Sequence, residues 1–151
     1  HLEIYRQFPG VRGVVHTHST YAVARAQAKR EIPCFGTTHA DYFHGPVPVT
    51  EPLTDAEIQT QYELNTGKAI IRRFAGIDPL TRPGVLVSSH GPFAWGASPA
   101  KAAMNAVLLE EIARMAAISV GINPQLAAIG QALHDGHFLR KHGPKAIYGQ
   151  K

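Results

Sequence analysis

The chain has 151 residues, of which 44% are hydrophobic and 17% charged; this is enough apolar material for one ordinary core and too little charge for a disordered chain. A formal net charge of +4 and a pI near 9.4 suit an anionic partner, but outside Arg140, Lys141, Lys145 and Lys151 the cations are scattered, and a basic end of that kind reads as solvated surface, so no nucleic-acid partner is expected. The single cysteine, Cys34, excludes an internal disulfide and fits a reducing, cytoplasmic setting, and with no apolar run near the ~20 residues of a membrane span and no basic-then-apolar leader, no membrane partner is expected either.

The chain opens at His1 without an initiator Met and runs straight into a periodic apolar segment, Leu2, Ile4, Tyr5 and Phe8. This predicts a short helix ending before Pro9-Gly10, and an upstream segment that is not included. Val11 to His16 reads as a strand. From Ser19 or Thr20 to Arg30 the alanine-rich composition is helical, so His16 and His18 fall where a strand ends. Ile32 to Phe35 predicts a second short strand, and Gly36 to Thr50, with prolines at 46 and 48, predicts an irregular functional loop.

Thr54-Asp55-Ala56-Glu57 has the capping-box pattern, so a helix from there to about Phe74 is expected. Gly84 to Ser89 reads as a buried strand closed by His90, with Phe93 to Trp95 as its partner after a turn at Gly91-Pro92. Ser98-Pro99 starts a long helix, whose core positions by spacing are Met104, Leu108, Ile112, Met115 and Ile118. Pro124 is expected to open a further helix before the closing segment from His137 to Tyr148. Alternating strands and helices make the class α/β.

Side chains alternate along an extended backbone, so His16 and His18 share one side and two imidazoles can grip one ion. The pair alone is a weak signal. A third strand-terminal histidine, His90, strengthens it, because three imidazoles suit Zn²⁺ or a related transition metal and leave positions free for an oxygen-bearing substrate. Read alone, Asp41 is equally a loop residue satisfying backbone donors, Tyr148 a packing aromatic, Thr37 a turn residue and His137 a surface histidine. Cys34, after Pro33, reads as a small buried residue and not a nucleophile.

Four blocks occur in order: Val14-Val15-His16-Thr17-His18-Ser19, Gly36-Thr37-Thr38-His39-Ala40-Asp41-Tyr42-Phe43, Ser89-His90-Gly91-Pro92-Phe93-Ala94-Trp95-Gly96, and Leu139-Arg140-Lys141-His142-Gly143 with Tyr148-Gly149-Gln150. Together they resemble the metal-dependent class II aldolase and epimerase family, and within it the L-ribulose-5-phosphate 4-epimerases. The resemblance spans essentially the whole chain. It implies a three-layer α/β/α fold with a mainly antiparallel central sheet, of which residues 1–151 form the larger, C-terminal part. It further implies Zn²⁺ on His16, His18 and His90, Asp41 and Tyr148 as an acid/base pair, and Thr37 and His137 against the substrate. A homotetramer is implied as well, with active sites at subunit interfaces that Tyr148 reaches from a neighbour.

The expected reaction interconverts L-ribulose 5-phosphate and D-xylulose 5-phosphate. The bond between carbons 3 and 4 breaks, the aldehyde fragment rotates, and the bond re-forms with carbon 4 inverted; a metal stabilises the enediolate and two acid/base groups handle the hydroxyl proton. Phosphate-binding residues and an additional metal carboxylate would lie upstream of His1. Two alternatives remain at this point: a class II sugar-phosphate aldolase, which the Asp41 block disfavours, and an inactive metal- or sugar-phosphate-binding remnant.

Overall fold

A computed structural model describes residues 1–147. Ten elements follow in order: α1 (Leu2–Gln7), β1 (Gly13–His16), α2 (Thr20–Gln27), α3 (Thr37–Ala40), α4 (Asp55–Gln59), α5 (Tyr62–Arg73), β2 (Gly84–Val87), β3 (Gly91–Gly96), α6 (Pro99–Ile122) and α7 (Gln131–His142). The strands form one antiparallel sheet in the order β1-β3-β2, so β3 is central. Its register places His16 opposite Phe93 and Val85 opposite Phe93 on the other side.

Period-two alternation divides the core into two layers, one on each face of the sheet. Leu86 faces Ala22 and Ala26 of α2 and Leu109, Ile112, Ala113 and Ala116 of α6. Its neighbours Val85 and Val87, with Phe93 and Trp95, face Ile4 and Phe8 of α1 and Ile70 and Phe74 of α5. The result is the expected α/β/α layering. Fully buried Trp95 packs on Phe8 and Phe74, and its indole N–H donates to Pro79 O at 2.8 Å, so the largest side chain of the core leaves no unpaired donor.

Helix α6 lies against the sheet through small residues. A Cβ on Gly13 would come within 2.6 Å of Ser98 O and 2.7 Å of Pro99 Cα, so only glycine admits the start of α6 there. This close approach selects the face that carries Ala102, Ala113 and Ala116. Of the five core positions expected from spacing, Ile112 is buried and Leu108 packs against the core, whereas Met104, Met115 and Ile118 are exposed. The expected spacing selects bulky residues, whereas the helix buries Ala102, Ala113 and Ala116 with Leu109 and Ile112.

Other expectations are corrected locally. Ile32 to Phe35 is not a strand: Ile32 makes a single bridge to Val47, and Pro33, lacking an N–H, cannot extend the ladder. The loop from Gly36 to Thr50 contains the one-turn helix α3. The capping box forms, with Glu57 N donating to Thr54 Oγ1 and Thr54 N to Glu57 Oε2. The helix then breaks at Thr60-Gln61, where Asn65 Nδ2 donates to Glu57 O at 2.9 Å, so the expected single helix is α4 followed by α5. The β2–β3 turn is Ser88-Ser89-His90 rather than Gly91-Pro92, which lie within β3. Pro124 opens no helix: Asn123 Oδ1 accepts Gln125 N in a turn, and Ile129 N donates to Cys34 O before α7 begins at Gln131. Among the described residues, no helix is long and apolar enough to cross a membrane.

Candidate metal centre and the Asp41 cluster

Three backbone features bring His16, His18 and His90 together. His16 ends β1, and Thr17 N continues that ladder to Pro92 O. His18 follows in the short link before α2, whose first amides, Tyr21 N and Ala22 N, both donate to the Glu110 carboxylate of α6 at 2.9 Å. That contact caps α2 with a negative charge in place of Ser19, whose side chain makes no cap bond. His90 closes the β2–β3 turn, in which Ser89 takes a left-handed conformation at φ 59°. Gly91 then lets strand and link approach, since a Cβ there would meet Thr17 O at 3.0 Å.

One nitrogen from each of the three imidazoles lies within 4.8 Å of the others. His16 Nδ1 donates to Pro92 O at 2.9 Å, which fixes the proton on Nδ1 and frees Nε2. That Nε2 is 3.0 Å from Nε2 of His18. The His16 ring stacks on Phe93, with centroids 4.2 Å apart, so packing as well as hydrogen bonding sets its plane. Tyr62 Oη lies 2.9 Å from His90 Nδ1, leaving the His90 Nε2 available.

Burial lowers the pKa of both His16 and His90; the Pro92 carbonyl partly opposes this at His16, and the neighbouring histidines add to it at each. Both are therefore held neutral, the form that donates a lone pair. The donor set fits a divalent transition ion: three imidazoles, of which the exposed His18 completes a pair, His16 and His90, that is partly buried beside a cavity of about 250 Å³ with the second nitrogen of each already engaged. Tyr62, Glu63, Thr66 and Ile70 of α5 line that cavity with His16 and His90.

Asp41 is the hub of a separate cluster. It follows α3, its N–H donating to Thr37 O at 2.9 Å, so Thr37 is tied to it through the backbone. His137 Nδ1 donates to Asp41 Oδ1 at 3.0 Å, Lys141 Nζ is 3.0 Å from Oδ2, and Arg140 is 3.6 Å from Oδ1. His142 Nε2 donates to the backbone Asp41 O at 2.9 Å. Burial by itself raises the Asp41 pKa, but Lys141, His137 and Arg140 outweigh it and hold the carboxyl below its ordinary value. Arg140 and Lys141 are thus ion-paired and not the solvated end expected from composition.

The predicted residues therefore form two groups, the three histidines in one and Asp41, His137 and Thr37 in the other. His16 and His90 line one cavity and Asp41 another. Tyr148 lies outside the described residues. Sequence reasoning missed Tyr62, Glu110 and Lys141. Only Lys141 carried a signal, since it stands four residues after His137 on one helix and so shares its face.

The profile of the Class II Aldolase and Adducin N-terminal domain matches residues 1–117. Among solved structures, an L-fuculose 1-phosphate aldolase superposes with a TM-score of 0.71 at 20% identity, covering 91% of this chain and 58% of that one. The L-fuculose 1-phosphate aldolase of Glaciozyma antarctica PI12 gives 0.67 at 16% identity, covering 90% and 47%. YgbL of Klebsiella pneumoniae, provisionally assigned as an aldolase, epimerase or decarboxylase, gives 0.60 at 25% identity, covering 89% and 60%. The chain thus spans between 47% and 60% of the length of these three proteins, whose fold it shares. With a family profile matched from its first residue through most of α6, the chain belongs to the class II aldolase and adducin N-terminal domain family.

Proposed function

We propose that the protein is a metal-dependent sugar-phosphate epimerase that interconverts L-ribulose 5-phosphate and D-xylulose 5-phosphate by breaking and re-forming the bond between carbons 3 and 4. The observation that carries this reading is the convergence of His16, His18 and His90 in a family whose fold is shared with sugar-phosphate aldolases. In this reading the three imidazoles hold Zn²⁺ or a similar cation. Such a cation supplies Lewis acidity toward a carbonyl oxygen and its neighbouring hydroxyl, lowering the cost of the negative charge that develops there.

The protein's own groups handle the proton. Asp41, a carboxylate at neutral pH that Lys141, His137 and Arg140 stabilise further, takes the carbon-4 hydroxyl proton on one face, and Tyr148 serves the opposite face after the aldehyde turns. Thr37 and His137 position the substrate beside Asp41. The histidines and Asp41 line different cavities, which fits an active site completed between copies of the chain in a homotetramer. The exposed apolar residues of α6, Met104, Val107, Met115, Ile118 and Ile122, supply a surface for such assembly.

The second reading, a sugar-phosphate aldolase, has the fuculose-phosphate aldolase structures in its favour. Product analysis of the complete polypeptide with L-ribulose 5-phosphate separates the two. Appearance of D-xylulose 5-phosphate supports the epimerase. Accumulating glycolaldehyde phosphate without the epimer assigns the aldolase, and unchanged substrate with a metal-loaded, folded protein removes the epimerase reading and leaves the aldolase to be tested on ketose 1-phosphates.

A further inference from the structure

The largest of the cavities described here, about 540 Å³, lies away from the histidines. The end of α3, the first turns of α6 and the last turn of α7 enclose it. Its lining includes three permanent cations, Lys101, Arg140 and Lys141, against a single carboxylate, Asp41. That carboxylate is already shared among His137, Lys141 and Arg140. Among the described residues, the Lys101 ammonium has no hydrogen-bond or ion-pair partner, and burial followed by the charge of Lys141 lowers its pKa. Two ammonium groups near one another at a concave surface, with the local carboxylate already shared, attract a further negative charge.

We propose that this cavity binds the phosphate group of a small phosphorylated molecule, with Lys101 as its principal contact and Lys141 and Arg140 contributing. Lys101 is the third residue of the 24-residue helix α6, so the positive end of the helix dipole adds to the field. Tyr42, with Lys141 Nζ 4.5 Å above its ring, and Met104 form a less polar wall. A second cavity of about 240 Å³ shares Tyr42 and Lys101 and continues past Leu80, Pro83 and Trp95, leaving room for an organic body attached to the phosphate. The inference goes beyond the metal chemistry, because none of these residues lines the histidine cavity.

The test is titration of the chelator-treated complete protein with inorganic phosphate, in phosphate-free buffer, followed by calorimetry or amide chemical shifts. Saturable binding is expected, weakened about tenfold or more in Lys101→Glu and kept within about threefold in Lys101→Arg, as for loss or retention of a charge-assisted hydrogen bond. Lys101→Met, which is uncharged, gives the same loss if Lys101→Glu fails to fold. No saturable binding, or equal binding by the wild type and both non-basic variants, overturns the proposal. No turnover is needed, so this result is independent of the epimerase reading. With an active preparation, a raised KM for the sugar phosphate in Lys101→Met identifies the phosphate as the substrate's own. An unchanged KM with phosphate binding lost identifies a separate phosphorylated effector.

Discussion

The hydroxyl of Tyr62 and Nδ1 of His90 are 2.9 Å apart, which joins the first residue of α5 to the turn between β2 and β3. If Nε2 of His90 holds a metal, Nδ1 carries the proton and donates to the phenol oxygen, fixing the tautomer and ring plane. Tyr62→Phe is therefore predicted to weaken metal affinity by about 10- to 100-fold while leaving thermal stability of the metal-free protein near wild type, since the ring remains. Competition with a chromophoric chelator measures the first and calorimetry the second.

Glu110 anchors the helix that follows His18. Its carboxylate accepts Tyr21 N and Ala22 N at 2.9 Å each, at the start of the helix that follows His18. Glu110→Ala leaves two half-buried amides unpaired and is predicted to destabilise the fold by about 1–3 kcal/mol in denaturant titration. Glu110→Gln, which keeps an acceptor and loses the charge, should fall between the two.

A pH dependence follows from His39. It is 4% exposed, its Nε2 donates to Gly45 O at 2.8 Å, and burial together with His134 and Arg82 lowers its pKa to about 4 despite that carbonyl. The unfolded chain protonates this imidazole near its ordinary 6.5 while the folded protein does not. The folded pKa is depressed, so this contribution is present above 6.5 and is lost as pH falls from 6.5 to about 4. Urea unfolding across that range should show a steeper decline in the wild type than in His39→Gln.

Asp41 gives a second window at lower pH. Its folded pKa lies below 3.8, so its contribution is present above the unfolded value and is lost as pH falls through the folded one. Removing the ammonium in Lys141→Met raises the folded pKa of Asp41 toward the unfolded one. The variant should lose less stability than the wild type between about pH 5 and pH 2, again by urea titration.

How much of this was legible in the sequence depended on range. Local signals held: the capping box at Thr54, Ser98 as cap with Pro99 in the first turn of α6, and His16 closing a strand, whereas β2 ends at Val87 and His90 falls in the turn that follows it. What failed required knowing what lies across the fold. Alanines won the buried face of α6 because Gly13 admits the helix so closely, and the break at Thr60 depends on Asn65 reaching back to Glu57. The second partners of the site histidines, Pro92 O and Tyr62, are 76 and 28 residues away in the chain, beyond any spacing rule. The separation of Asp41 from the histidine cavity was hidden for the same reason.

The most direct test is turnover of L-ribulose 5-phosphate by the complete polypeptide after chelation, with and without added Zn²⁺, alongside His90→Ala. The account predicts no epimerisation after chelation, recovery on adding Zn²⁺, and neither bound metal nor recovery in His90→Ala. Full turnover by the chelated protein, or by metal-free His90→Ala, would contradict it.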